Sequence, residues 1–194
     1  MRLNEPVKTA KFSPGPGVRV LTEDFRDVVP GSGEAGMIAK SGPLPLGYYK
    51  DEERTKETFP IIDGVRYSMA GDWCRIEKDG SMTLLGRGNN CINTGGEKVY
   101  PEEVEEAAKL HPAILDIAVI GTQDDRFGQS VTALLRTVDG RMITKEELKK
   151  HLADHIAGYK HPRYVLHVND DFRHANGKIN YRLAHQLVAE ARAK

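Results

Sequence analysis

Apolar positions change their period near the middle of the chain. Over residues 1–86 they come in short runs, at 17–21, 35–40, 64–67, 73–77 and 83–85. Short runs bounded by turn residues predict strands. Pro14, Pro16, Pro30, Pro43 and Pro45 lie between or beside these runs, where a missing N–H does no harm. Asp79-Gly80 predicts a tight turn between the last two strands. The pattern predicts a small, strongly curved β unit.

From residue 87 onward the pattern alternates between helix and strand. Pro101 suits the first position of a helix, with Glu102 and Glu103 in its first turn. Val104, Ala107, Ala108 and Leu110 give that helix an apolar stripe. Residues 114–121 and 130–138 read as β-branched strands. Thr144 and Glu147 form a capping box, and Leu148, Leu152 and Ile156 follow at helical spacing. A strand at 163–168 precedes a closing helix at 181–193, with Leu183, Leu187 and Val188 facing inward. The predicted class is α+β: a small, distorted β-barrel-like subdomain at 1–86, then a small α+β domain at 87–194. Gly86-Arg87-Gly88-Asn89-Asn90 sits at the junction and suits a hinge.

Composition narrows the classes. The 194 residues carry 28 Lys+Arg against 28 Asp+Glu, a formal net charge of +0. That balance argues against a dedicated nucleic-acid or membrane-surface protein. No apolar run approaches bilayer length, and the first residues lack the apolar core of a signal peptide. Cys74 and Cys91 form no CxxC pair, so a cytoplasmic protein with two reduced thiols is expected.

Some chemical signals fail on context. Gly31-Ser32-Gly33-Glu34-Ala35-Gly36 matches GxGxxG, but a strand follows the glycines instead of a helix, so the segment reads as a turn. His151 and His155 share a helix face without the Glu of HExxH, so solvated histidines are expected and no metal site.

Four segments carry chemistry together. Gly71-Asp72 projects a carboxylate able to accept two hydrogen bonds from a vicinal diol. Arg87 offers a fixed fork of donors for phosphate or sugar oxygens. Gly95-Gly96-Glu97, inside a string running from Ile92 to Glu105, leaves backbone uncovered for a thin ligand. Asn176-Gly177-Lys178 places a lysine at the tip of a tight turn, suited to a developing anion.

In this order the segments resemble the adenylate-forming superfamily of acyl-CoA synthetases, luciferases and adenylation domains, over nearly the whole chain. Residues 47–55 (GYYKDEERT) and Tyr159-Lys160-His161-Pro162 look like further family segments. The resemblance implies a C-terminal portion: 1–86 ending the large adenylation domain, and 87–194 as the lid. It implies that Asp72 and Arg87 bind the nucleotide, that Gly95, Gly96 and Glu97 line the pantetheine channel, that Asn89 is the hinge and that Lys178 is the adenylation lysine. The implied reaction joins a carboxylic acid to CoA through an acyl-adenylate, with ATP consumed and AMP released. Magnesium is expected in the complete enzyme, on ligands outside this chain. The spelling GGEKVYPEEVE looks most like bacterial synthetases of fatty or related acids. The chain departs from the family at Asn89, where Asp or Lys is usual. It also departs at Met69-Ala70 before Gly71-Asp72, and at Arg173-His174-Ala175 before the lysine turn. It lacks the phosphate-binding loop, so the chain by itself is expected to be inactive, its partner being an N-terminal adenylation domain. Two other readings are an adenylation domain that loads a carrier protein and a non-catalytic fragment that binds a nucleotide or a partner.

Overall fold

The computed structural model describes residues 11–192. They fall into two compact units, one ending at Asn89 and the other beginning at Asn90.

The first unit is built on seven short strands: β1 (Lys11–Phe12), β2 (Val18–Leu21), β3 (Ala35–Lys40), β4 (Ile61–Ile62), β5 (Val65–Arg66), β6 (Asp72–Ile76) and β7 (Met82–Arg87). Five form an antiparallel sheet in the order β1-β7-β6-β3-β2. Its two edges do not pair with each other, so the expected barrel-like unit is an open sheet. β4 and β5 make a separate hairpin. Val20, Val28, Cys74 and Met82 pack into one apolar cluster, and Leu21, Ala39, Ile62, Tyr67 and Met69 into a second. Adjacent residues Val20 and Leu21 enter different clusters, because successive side chains of a strand point to opposite faces. A short helix, α1 (Glu52–Thr58), was not visible in the apolar pattern because it buries no residue. Asp51 caps it by accepting from the Arg54 N–H at 3.0 Å. Gly31 and Gly33 have φ of 76° and 79°, and the Gly31 N–H donates to Ile76 O, so the GxGxxG segment is the expected turn.

The second unit is a three-layer sandwich. It contains β8 (Ile92–Thr94), β9 (Glu97–Val99), α2 (Pro101–Lys109), β10 (Ile114–Asp124), β11 (Gly128–Thr137), α3 (Lys145–Leu152), β12 (Tyr164–His167) and α4 (Tyr181–Arg192). β10 and β11 form a long antiparallel hairpin with a bulge near Ile114. β12 joins β11 in parallel, and β8 pairs β11 at its start. Ile117 and Val119 face one side with Val104 and Ala108 of α2 and Leu148 and Leu152 of α3. Ala118 and Ile120 face the other, with Ala184 and Val188 of α4 and the fully buried Phe172. Cover on both faces explains why β10 reads as a continuous apolar run rather than as alternation. The expected helix starts hold at Pro101 and at Thr144, whose hydroxyl accepts from the Glu147 N–H at 3.1 Å. α4 matches its expected start; Ala193, the expected last residue, lies outside the described residues.

Candidate functional site

The open sheet brings together two residues fifteen apart in sequence. β6 and β7 pair antiparallel with Asp72 opposite Arg87. The Arg87 Nε donates to Asp72 Oδ1 at 3.3 Å, and the side chains remain 61% and 39% exposed. A carboxylate and a guanidinium thus stand side by side at one end of the hairpin, both partly open to solvent. Gly71, with φ of 90°, accepts from the Gly88 N–H at 3.0 Å and turns the chain into β6.

Gly88–Asn90 forms one turn of 3-10 helix. Gly88 is required there, since a Cβ would stand 2.4 Å from the Trp73 indole nitrogen. Asn89 is exposed at the last position of the first unit.

In the second unit, Gly95 and Gly96 form the two-residue turn between β8 and β9, with φ of 60° and 88°. Positive φ at both positions is the hairpin geometry that glycine adopts at no steric cost. These two strands were read from sequence as a loop, because three-residue strands carry too little period to register. The turn is held from one side. The Gly95 N–H donates to Phe127 O at 2.9 Å, and the Arg163 guanidinium lies 3.6 Å from the centroid of the Phe127 ring. A Cβ on Gly95 would come within 3.1 Å of that ring, whereas one on Gly96 would meet nothing within 4 Å. The Gly96 backbone is bare, and exposed Glu97 follows it.

Lys178 sits on the turn between Phe172 and α4. The His174 N–H donates to Lys178 O and the Gly177 N–H to His174 O, each at 2.8 Å. Asn176 Oδ1 accepts from the Lys178 N–H at 3.1 Å, and Gly177 has φ of 79°. The lysine side chain is exposed.

Three polar groups of this unit are buried; the sequence reading quoted Lys160 within a family segment but gave it no role, and it singled out neither Asp116 nor Glu105. Lys160 lies almost wholly buried, its ammonium on both carboxylate oxygens of Glu103 in α2. Asp116, at the start of β10, takes two donors from Arg173, at 2.6 and 2.7 Å. Burial alone would raise the Asp116 carboxyl; Arg173 and the Ile117 N–H overcome it and hold it below the usual range. Glu105 is buried in α2 and accepts from the Val119 N–H at 2.8 Å. Burial first, and the nearby Glu102 carboxylate in the same sense, push its carboxyl up to about 8. Burial also raises the Tyr181 hydroxyl, which bonds the Asn90 side chain. A carboxylate at an α2 position and an arginine just before the lysine turn were the available signals. Neither is readable without knowing that β10 lies between them.

The His151 and His155 rings are tilted at 51° with centroids 5.0 Å apart; His155 is exposed as expected, but His151 is half-buried with Nε2 3.0 Å from Ala107 O. Among the described residues no group of three or more His, Cys, Asp or Glu is gathered as a metal site. Neither Cys74 nor Cys91 is in a disulfide.

Residues 103–178 match the family described as AMP-binding enzyme C-terminal domain. The chain is 52% identical over 165 residues to a 3-oxocholest-4-en-26-oate–CoA ligase of Rhodococcus rhodochrous, covering 85% of this chain and 30% of that protein. It is 51% identical over 171 residues to a medium/long-chain-fatty-acid–CoA/3-oxocholest-4-en-26-oate–CoA ligase of Mycolicibacterium smegmatis, covering 88% and 31%. The crystal structure of ATP-bound MatB from Rhodopseudomonas palustris superposes with a TM-score of 0.77 at 31% identity, over 95% of this chain and 37% of that one. The chain therefore spans about a third of the length of the curated relatives it matches. By these matches the chain belongs to the adenylate-forming superfamily, aligned with the C-terminal part of its acyl-CoA ligases.

Proposed function

We propose that this chain is the C-terminal part of an ATP-dependent acyl-CoA ligase, with the β unit through Asn89 closing the adenylation domain and the unit from Asn90 forming the lid. In the first half-reaction a carboxylate oxygen attacks the α-phosphorus of ATP. The bond to the bridging oxygen breaks, pyrophosphate leaves, and an acyl-adenylate forms. Lys178 supplies positive charge to the carboxylate and α-phosphate oxygens as that bond changes hands. Asp72 accepts hydrogen bonds from the ribose hydroxyls, and Arg87 holds the nucleotide beside it. In the second half-reaction the CoA thiolate attacks the acyl carbonyl and AMP departs with the electron pair. The pantetheine arm passes the bare Gly95-Gly96 backbone and Glu97. Asn89 is the pivot that exchanges one lid face for the other. Magnesium is held by residues outside this chain. The names of the relatives point to fatty and steroidal acids.

The observation that carries this reading is that one lid bears two different tips: a charged lysine turn and an uncovered double-glycine hairpin. Two half-reactions with different needs fit two such tips. Lys178→Ala tests it in a ligase made by placing this chain into the Rhodococcus relative. Adenylation, followed by pyrophosphate exchange, drops by about 10²–10³-fold, the cost of one transition-state charge donor. Thioester formation from supplied acyl-adenylate stays within twofold or so of the parent, as expected for a group that acts in one step only. Unchanged exchange would sink the role given to Lys178. The chain on its own gives no exchange signal.

A further inference from the structure

We infer that Asp116 and Arg173 are positioning residues that aim Lys178, and that their effect is confined to the adenylation half-reaction. This rests on the function proposed for Lys178. Arg173 uses three of its nitrogens at once. Nε and Nη2 donate to the two oxygens of Asp116 at 2.6 and 2.7 Å. Nη1 donates to the carbonyl oxygen of Gly177 at 2.6 Å. A guanidinium is planar, so fixing two nitrogens on a carboxylate fixes the direction of the third. That third bond ends on the peptide immediately before Lys178. Asp116 in turn is anchored: it sits at the start of β10, and its Oδ1 also accepts from the Ile117 N–H at 2.9 Å.

The chain of contacts therefore runs from a central hairpin, through one carboxylate and one guanidinium, to the plane of the Gly177–Lys178 peptide. Gly177 itself, at φ of 79°, has no side chain to hold that plane. The bonds His174 N–H to Lys178 O, Gly177 N–H to His174 O and Lys178 N–H to Asn176 Oδ1 are internal to the turn. They shape the turn but do not tie the lysine peptide to the sheet. A second strap, the isolated bridge between Arg173 and Ile179, closes the base of the turn. Without Arg173 the turn keeps its shape and loses its bearing. A lysine must meet the reacting oxygens within a fraction of an ångström, so lost bearing shows as lost rate. A lysine at 173 reaches Asp116 but has no planar fork to direct a third bond at Gly177.

The test uses Arg173→Lys and Asp116→Asn, each in the unfused chain and in the same Rhodococcus chimera. In the chain, the backbone amide order parameters of Gly177 and Lys178 fall from about 0.85 toward about 0.6, while α2 and β10 keep theirs. In the chimera, kcat for adenylation falls by about tenfold or more with the KM for ATP unchanged, and thioester formation from supplied adenylate is unaffected. A merely structural pair would lower both half-reactions together, along with the melting temperature. Such parallel loss overturns the inference, as does a rigid, unchanged turn in Arg173→Lys. Lys178→Ala separates the two claims. If it leaves exchange intact, the functional reading fails, while the order parameters still decide whether Arg173 aims the turn.

Discussion

The two units treat charge in opposite ways. In the β unit the ion pairs lie at the surface: Arg19 with Asp27, Arg26 with Glu34, and Arg87 with Asp72. In the second unit the decisive ones are drawn inside, Lys160 with Glu103 and Asp116 with Arg173, and a further acid, Glu105, is buried on a strand amide. Surface pairs contribute little to stability because water screens them, so Asp72 and Arg87 can exchange each other for a ligand at small cost. Buried pairs are expensive to desolvate and costly to break, and they hold what they touch in one geometry. In the second unit one of them reaches a turn directly: Arg173, held by Asp116, donates to Gly177 O beside Lys178.

Removing Lys160 strikes the contrast hardest. Lys160→Met takes the ammonium from a largely buried carboxylate and should destabilise the lid by about 3–5 kcal/mol. The helices α2 to α4 report this at 222 nm, whereas the single tryptophan, Trp73, reports the β unit. A helix transition that moves ahead of the Trp73 transition sharpens the comparison; an unmoved helix transition breaks it.

Glu105 adds a pH signature. Its carboxyl ionises near 4.5 in an unfolded chain and about 8 in the folded one. Between those values the folded state holds the extra proton, so stability falls as pH rises from about 4.5 to about 8 and stays low above that. Glu105→Gln keeps an acceptor for the Val119 N–H and removes the ionisation. Denaturation at a series of pH values should show the variant ahead by about 2–4 kcal/mol at pH 8.5 and level with the parent near pH 4.5. Parallel curves would refute the burial argument.

In the β unit packing, not charge, sets the sensitive positions. A Cβ on Gly36 would lie 2.6 Å from Val28 Cγ2, 2.8 Å from Val20 Cγ1 and 2.9 Å from Leu21 O. Gly36→Ala should therefore cost about 1–3 kcal/mol, read by Trp73 fluorescence in denaturant. The smallest effect belongs to Arg26→Gln at the exposed Arg26–Glu34 pair, which should leave that same midpoint unmoved. A clear shift there would erase the distinction between the units.

The sequence carried the lid's elements well, because their signals are local. Pro101, the Thr144 cap and the apolar run of β10 each declare themselves within one window of residues. Gly95-Gly96 declared uncovered backbone but not the turn it forms or the three-residue strands flanking it, and α1 declared nothing because it buries no residue. The site was legible only at its tips. Gly71-Asp72 and Gly86-Arg87 were visible as separate signals, and only the register of β6 with β7 makes them one. The pair of Asp116 and Arg173 spans 57 residues. No spacing rule links the start of a strand to a loop that far away, so the device behind Lys178 had to be read from coordinates.

Among the described residues the long strand β10 ends the second sheet on one side, with β11 as its only strand neighbour. Eleven residues of mostly apolar strand with an open outer edge would be a template for a second copy to add on, strand to strand. Glu105 blocks this at the middle of the edge. Its carboxyl already occupies the Val119 N–H, and an incoming strand would have to displace a buried acid to reach that amide. The residue that makes this unit pH-sensitive thus also covers a strand amide on an edge to which another strand could otherwise pair.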